Sequence, residues 1–285
     1  MALEYYVVDA FTVNDELFTG NQAAVIVLNN DNELSDEIKQ GIAFEINLSE
    51  TAFVSPIEGN KYYLRWFTPT TEVDLCGHAT LATASVLFRK LKNEKCLTFV
   101  TKDEKILKAV FNKENNTISL DFPSNRPEVI SIAQYPFVRE IVKLTIGDEA
   151  EYKLLKFSKN TGKLVVQLNS SVKFLKSIKP DFLRLMAIKE NSIISGVIVT
   201  LEGKTNEIDF HSRYFAPWKG INEDPVTGSA HTVLIPFWSE IKNKNTFVAK
   251  QESKRGGILF CELIGERVKL SGKCRQVITG QFLLK

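Results

Sequence analysis

Arg65-Trp66-Phe67-Thr68-Pro69 and Arg213-Tyr214-Phe215-Ala216-Pro217 are two versions of one short pattern, and their positions predict the fold. Each pattern closes a strand-like run and leads into a loop with an acidic residue, then a glycine (Gly77 or Gly228) and a helix of small and apolar residues. Upstream of each pattern lie two strand-like runs, helical sequence and a further strand. One short echo can arise by chance, but two echoes within the same element order indicate a duplicated unit.

The order of elements predicts an α+β protein. Hairpin-like strand spacing outweighs strand–helix–strand spacing, so each half should contain a mixed or antiparallel sheet. The second helix of each half, at about 77–91 and 228–241, lacks a strongly polar face, so we expect each sheet to wrap around a buried helix. We predict two similar lobes related by a pseudo-twofold axis, residues 1–125 and residues 126–273. A proline-containing linker at 122–127 and a linking helix at about 132–144 should join them.

Composition excludes several classes of protein. The 285 residues include 36 basic and 34 acidic ones, a balance that gives no reason to invoke nucleic acid or a membrane. The four cysteines form no CxxC pair and no zinc-type cluster with the three histidines, which favours free thiols in a reducing compartment. The start of the chain lacks a signal-peptide pattern, so we expect a cytoplasmic protein. No dinucleotide fingerprint, phosphate-binding loop or metal-ligand spacing occurs, so we expect neither cofactor nor metal.

The two loop-to-helix junctions, 75–79 and 224–230, are the candidate binding elements. A helix N-terminus offers unpaired N–H groups and a partial positive charge, which suit an anion, and Gly77 and Gly228 let a ligand approach the backbone. Alternatively, the glycines only make tight turns and Thr227 or Ser229 only caps a helix. If the lobes face each other, both junctions point into one cleft, and the matched pair favours a site for a small anionic substrate.

Three side chains near these features are candidate functional groups, each with a structural alternative. His78 can donate a hydrogen bond to an anionic ligand or be a structural histidine. Asp224 can contact substrate or stabilise its own loop. Glu50 lies between a helix and a strand, where it is either an exposed turn residue or a half-buried carboxyl with its pKa raised toward neutrality, as a proton shuttle requires.

The chain resembles the phenazine-biosynthesis PhzF-like family, a branch of the diaminopimelate-epimerase-like fold. The resemblance rests on motifs along most of the chain: Asp9-Ala10-Phe11, Phe18-Thr19-Gly20-Asn21-Gln22-Ala23-Ala24-Val25, Asn47-Leu48-Ser49-Glu50-Thr51, the stretch from Arg65 through Cys76-Gly77-His78-Ala79, and Glu223-Asp224-Pro225-Val226-Thr227-Gly228-Ser229-Ala230. It implies an active site between the lobes, a homodimer and no cofactor. It also implies Glu50 as the acid/base, with His78, Asp224 and Ser229 contacting substrate, and a last strand at about 274–285 that returns to the first lobe.

The sequence departs from the epimerase branch of this fold in one respect. That branch places two cysteines on either side of the substrate, whereas here Cys76 lies beside Gly77 and the 224–230 motif contains no thiol. We therefore predict an isomerase in which Glu50 alone moves a proton on a small, carboxylate-bearing substrate. Two alternatives stay open: a two-base epimerase or racemase, with Cys76 as one base and Asp224 substituting for the other, and a non-catalytic protein that binds small acids. Nothing in the sequence identifies a phenazine pathway.

Overall fold

The computed structural model describes residues 1–14, 16–204 and 207–284. The chain divides into two compact units: unit 1 comprises Met1–Asp121 and Lys269–Lys285, and unit 2 comprises Phe122–Val268. Each unit combines a sheet with helices, which confirms the α+β class. No helix in the described ranges combines the length and the apolar character that a membrane crossing requires.

In the described part of the chain, unit 1 is built on nine strands and two α-helices. Its strands are β1 (Ala2–Ala10), β2 (Asn21–Val27), β3 (Thr51–Glu58), β4 (Lys61–Phe67), β5 (Glu72–Val73), β6 (Cys96–Val100), β7 (Ile106–Asn112), β8 (Thr117–Pro123, which runs into unit 2) and β17 (Cys274–Leu283). Its helices are α1 (Asp36–Ile46) and α2 (Gly77–Lys90), with a 3-10 turn at Asp31–Glu33.

Unit 2 repeats this order with extra helices. Its strands are β9 (Glu128–Val129), β10 (Tyr152–Ser158), β11 (Lys163–Leu168), β12 (Gly196–Glu202), β13 (Phe210–Phe215), β14 (Thr246–Gln251), β15 (Gly257–Ile264) and β16 (Arg267–Gly272, which runs into unit 1). Its helices are α3 (Phe137–Ile146), α4 (Val172–Ser177), α5 (Phe182–Met186) and α6 (Gly228–Lys242), with a 3-10 turn at Pro217–Lys219.

Strand pairing is the same in both units, which confirms the duplication. In unit 1, β1–β2, β3–β4 and β6–β7 are antiparallel, while β2–β3 and β4–β6 are parallel. In unit 2, β10–β11, β12–β13 and β14–β15 are antiparallel, while β11–β12 and β13–β14 are parallel. Each unit therefore contains a mixed sheet with the same sequence of pairings.

Each sheet packs against a buried helix and against amphipathic helices. In α2 every residue from His78 to Phe88 is buried, as is every residue of α6 from Ala230 to Trp238. In unit 1 the apolar face of α1 packs with side chains of β2 and β3. In unit 2 the helices α3, α4 and α5 form a larger cluster with β11 and β12. The apolar composition of α2 and α6 follows from this burial, because a helix enclosed on all sides has no solvent face.

Two sequence-based element boundaries are wrong. The segment 122–127 is not wholly a linker, because β8 continues to Pro123 and Phe122 is buried. A proline is compatible with a strand at its end, where its missing N–H breaks no ladder. The linking helix begins at Phe137 rather than near residue 132, because Pro136, with a φ of −58°, sets the helical backbone at its start.

Candidate active site

The backbone on both sides of the Glu50 side chain is fixed to strand β2. Helix α1 ends at Asn47 in a left-handed conformation (φ 53°), which turns the chain back toward β3. Ser49 Oγ then donates to the carbonyl of Gln22 at 3.3 Å, and the N–H of Ala24 donates to the carbonyl of Glu50 at 3.0 Å. Glu50 is only 9% exposed, so its carboxylate is held in a defined place rather than in a surface turn.

His78, the second residue of α2, lies against this carboxylate. Its Nε2 is 3.1 Å from Glu50 Oε2, and its Nδ1 is 3.2 Å from Asn21 Nδ2. In the described part of the chain no donor meets hydrogen-bond geometry with the buried Oε2, so the contact with His78 is an ion pair without an aligned hydrogen bond. The structure therefore brings together two residues predicted separately from sequence, and leaves one carboxylate oxygen able to accept a proton.

Cys76, at the N-cap of α2, completes a compact cluster. Its Sγ lies 3.4 Å from His78 Nδ1. One ligand atom from each of Glu50, Cys76 and His78 lies within 4.8 Å of the others, so within the described ranges these three residues are a group that can hold a metal ion. Sequence spacing missed this group because Glu50 belongs to a different element. The absence of a metal requirement stays a prediction.

The expected rise in the pKa of Glu50 is wrong for this structure. Burial alone raises the pKa of this carboxyl, but the charge and contact of His78, with a contribution from Ser49, outweigh burial and hold its pKa below the ordinary 4.5. Burial opposes the charged form of His78, yet Cys76 and Glu50 raise the pKa of the imidazole well above 6.5. Burial raises the pKa of the Cys76 thiol. These shifts favour an ionised Glu50 carboxylate beside a charged His78.

The unit 2 candidates lie in a loop braced by a glutamine on β14. Thr227 Oγ1 donates to Asp224 Oδ2 at 2.6 Å, and Gln251 Nε2 donates to the carbonyl of Asp224 at 2.7 Å. Gln251 Oε1 in turn accepts from the N–H of Thr227 at 2.9 Å. Gly228 is buried at the first position of α6, and Ser229 beside it is exposed. No motif pointed to Gln251, since a buried glutamine on a strand is recognisable only after the loop is in place.

The starts of α2 and α6 differ from those of α1, α4 and α5. Ser35, Ser171 and Asp181 cap the latter three helices by accepting a hydrogen bond from a backbone N–H of the first turn. In the described chain, α2 and α6 have no such side-chain cap, as is also true of α3, which follows Pro136. Thr227 occupies the N-cap position of α6, but its hydroxyl donates to Asp224. The capping explanation for Thr227 is therefore wrong, and in the described chain neither Cys76 nor Thr227 makes a side-chain cap hydrogen bond to the helix that follows it.

Sequence reasoning also missed the chemistry of the repeated pattern itself. Arg65 Nε donates to Glu72 Oε1 at 2.7 Å, and Arg213 Nε donates to Glu223 Oε1 at 2.6 Å. In both pairs the second guanidinium nitrogen, Nη2, donates to the other carboxylate oxygen at 2.9 Å. The arginine of the pattern is thus a structural anchor for the loop that leads to each helix start.

Comparison with known proteins identifies the family. The model of the family described as "Phenazine biosynthesis-like protein" matches residues 8–280. The chain belongs to the phenazine biosynthesis-like family. It is similar to an uncharacterized isomerase of Halalkalibacterium halodurans (43% identity, covering 100% of both chains). It is also similar to a phenazine biosynthesis-like domain-containing protein of Bos taurus (42% identity, 98% of this chain and 99% of the relative).

Solved structures of the family share the fold. The crystal structure of a phenazine biosynthesis protein of the PhzF family from Enterococcus faecalis superposes with a TM-score of 0.86 at 40% identity, covering 100% of both chains. The family resemblance drawn from sequence motifs is therefore confirmed.

Proposed function

We propose that this protein is a cofactor-independent isomerase that moves a proton on a small, carboxylate-bearing substrate, with Glu50 as the single acid/base. The observation that carries the proposal is the buried Glu50 carboxylate, fixed by β2, with its Oε2 3.1 Å from Nε2 of His78. A family relative named an isomerase supports the reaction class.

Glu50 can take a proton and return it, although its lowered pKa makes the carboxylate a weaker base than a shuttle with a pKa near neutrality. At neutral pH the carboxylate is ionised and can accept a proton from a substrate carbon. Once protonated it is a strong enough acid to return that proton to another carbon of the same face. The uncapped N–H groups at Gly77 and His78 are preorganised donors for the negative charge that develops between the two steps, and such donors are typically worth a few kcal/mol.

A two-base epimerase or racemase is the second candidate, because Cys76 lies in the same cluster. Its Sγ is in contact with His78 Nδ1 at 3.4 Å, so a proton can pass between thiol and imidazole. The raised pKa of the thiol, however, keeps it protonated at neutral pH, which disfavours Cys76 as a base. Stereochemistry of the product separates the two candidates.

We extend the proposal to unit 2, where Asp224, Gly228 and Ser229 bind the substrate. The uncapped start of α6 and the fixed orientation of Asp224 support this role. A single cleft shared by the two helix starts, a homodimeric assembly and a cytoplasmic location stay predictions from the sequence. Asp224→Asn keeps the size of the side chain and removes its charge. We therefore expect a changed KM for the substrate, while proton transfer by Glu50 is unchanged.

The test compares Glu50→Gln with Glu45→Gln, an exposed glutamate of α1. Wild-type protein is incubated in heavy water with a panel of small cyclic and acyclic carboxylic acids, including trans-2,3-dihydro-3-hydroxyanthranilate, and deuterium uptake and product are measured by mass spectrometry and NMR. Glu50→Gln should fold normally and lose about 10²–10⁴-fold in kcat, with matching loss of exchange. Glu45→Gln should behave as wild type. Near-normal turnover in Glu50→Gln would overturn the proposal.

A further inference from the structure

Lys163 is the exception among the buried lysine and arginine side chains of the described chain. The others are each within ion-pair distance of a carboxylate: Lys39 with Asp31 (3.5 Å), Arg65 with Glu72 (2.7 Å), Lys156 with Glu240 (2.8 Å) and Arg213 with Glu223 (2.6 Å). Lys163 is 5% exposed, and no carboxylate of the described residues lies within 4 Å of its Nζ. A buried ammonium without a counter-ion is strongly unfavourable, so the presence of a lysine at this position requires an explanation.

The immediate surroundings of Lys163 only partly compensate its charge. Its Nζ lies 5.6 Å from the centre of the Tyr214 ring, a cation–π contact that offsets part of the cost of burying the charge. The ring packs directly over Gly196, the strand partner of Lys163, since a Cβ added there would lie 2.3 Å from Tyr214 Oη. Burial and the nearby charge of Lys219 lower the pKa of Lys163 to about 8, and the opposing charge of Asp224 does not offset them.

The scaffold itself does not require a lysine at this position. Strand register places Lys163 of β11 at the position that Ala23 occupies in β2 of unit 1, one residue before the parallel pairs Ala24–Thr51 and Leu164–Val197. Ala23 is fully buried, so the same sheet forms with a methyl group there. Asp224, a predicted substrate-binding residue, acts electrostatically on both Lys163 and Tyr214. The fold therefore does not require Lys163, and we associate its charge with the loop that carries Asp224.

We propose that Lys163 binds a carboxylate group of the substrate. The inference rests on the proposed function for the identity of its ligand, and it names the group that neutralises the anion. A carboxylate on Nζ supplies the missing counter-ion through a charge-assisted hydrogen bond, which is stronger than one between neutral groups. Lys163 is in this account a binding residue, and the proton transfer remains with Glu50.

The test measures binding of acetate, benzoate and malonate by calorimetry and thermal shift at pH 7, with benzamide as the uncharged control. At least one carboxylate should bind wild-type protein, and benzamide should not. Lys163→Met should weaken that carboxylate by about 10–100-fold, and Lys163→Arg by less. Lys156→Met, which removes a buried lysine that already has a counter-ion, should bind as wild type. Equal binding by Lys163→Met, or no binding of any carboxylate to wild type, overturns the inference.

A second measurement on the unmodified sequence covers the case in which Lys163→Met fails to fold. In protein labelled with ¹³C at lysine Cε, one resonance should titrate near pH 8 and shift to higher pH on addition of the bound carboxylate, because an adjacent anion favours the ammonium form. A lysine titration unaffected by carboxylate overturns the inference even if Glu50→Gln has abolished proton exchange. Conversely, normal exchange in Glu50→Gln removes the proposed function and leaves carboxylate binding by Lys163 standing.

Discussion

The two units share a framework but differ at the position of Glu50, the proposed acid/base of unit 1. The phenylalanine of each repeated pattern aligns the two units. Phe67 pairs with Thr51 in unit 1, and Phe215 pairs with Val197 in unit 2. One residue earlier, unit 1 has Glu50 and unit 2 has Gly196. The preceding serines are equivalent too, since Ser49 donates to the carbonyl of Gln22 at 3.3 Å and Ser195 to that of Gly162 at 3.2 Å.

The two units thus have the same backbone arrangement but carry chemically different side chains at equivalent positions. In unit 1 the space beside the strand holds a carboxylate against His78, whereas in unit 2 the Tyr214 ring covers Gly196. At the equivalent position of the neighbouring strand the order of sizes is reversed. Unit 1 has the small Ala23, and unit 2 has the long, basic Lys163. An anionic acid/base in one copy and a cationic binding group in the other are what a carboxylate-bearing substrate needs if one copy performs the proton transfer and the other binds the charge.

The largest expected effect tests the shared framework. Arg65→Met and Arg213→Met should each lower the free energy of unfolding by about 3 kcal/mol or more. Arg213→Met leaves the partly buried Glu223 without its ion pair, and Arg65→Met removes the pairs with both Glu72 and Asp36, so that within the described chain Glu72 keeps only Lys102. Arg213→Met should lower it further, since Arg213 Nη1 also donates to the carbonyls of Leu175 (2.9 Å) and Ile178 (2.8 Å). Urea unfolding measures the difference.

Arg126→Met is the control for the arginine pair. Arg126 is exposed and 3.8 Å from Glu240, so its loss should change stability by less than about 1 kcal/mol. If Arg65→Met and Arg213→Met were as mild as Arg126→Met, the repeated arginine would not be the anchor of the two loops.

The next effect tests whether unit 2 can accept a side chain where unit 1 has Glu50. Gly196→Ala should destabilise the protein by about 1–3 kcal/mol, because its Cβ would lie 2.3 Å from Tyr214 Oη and 2.6 Å from the ring. Gly41→Ala is the matched control: a Cβ on that helix residue meets nothing within 4 Å, and alanine should stabilise α1 by up to about 1 kcal/mol. A neutral Gly196→Ala would mean that Tyr214 moves aside easily and that the two copies differ less than their packing indicates.

The sequence predicted what depends on local pattern and missed what depends on register. The duplicated element order and the buried helix Gly77–Lys90 follow from hydrophobic periodicity and from repeated motifs. The approach of His78 to Glu50 was implied only by resemblance, and its effect on the pKa of Glu50 was predicted with the wrong sign. Burial can be anticipated from a motif, but a charge 3.1 Å away cannot be known before the chain is folded. Lys163 escaped notice because a single lysine in a strand has no motif.

The third prediction concerns the positive charge of His78, which lowers the pKa of Glu50. His78→Gln removes the imidazolium but leaves the burial, so the pKa of Glu50 should rise above its ordinary value of 4.5. A titration of ¹³C-labelled glutamate carboxyls, with Glu50→Gln to assign the signal, measures the shift. His211→Gln, which removes a histidine 2.7 Å from Glu252 in unit 2, should leave the Glu50 signal unchanged. A pKa of Glu50 that stays below 4.5 in His78→Gln would remove His78 as the cause.

The same pair sets a pH window for stability. The lowered pKa of Glu50 stabilises the folded protein above about pH 4.5, and this contribution is lost as pH falls through the folded value. The raised pKa of His78 stabilises the folded protein below about pH 6.5, and this contribution is lost as pH rises through its folded value. The advantage of wild type over His78→Gln should therefore be greatest between these limits. An advantage that grew steadily above pH 8 would contradict the pairing.

The smallest expected effect concerns Cys76, the residue of the cluster that the proposed mechanism does not use. Its counterpart in unit 2 is Thr227, the N-cap residue of α6, so a hydroxyl is already accommodated at the equivalent place. Cys76→Ser should retain most turnover, because the raised pKa of the thiol keeps it protonated and Glu50 performs both proton transfers. A loss of about 10³-fold or more would be the scale of a missing acid/base group and would favour the two-base epimerase. If the cluster instead holds a metal that the activity needs, activity should fall both in Cys76→Ser and after dialysis of the wild type against a chelator.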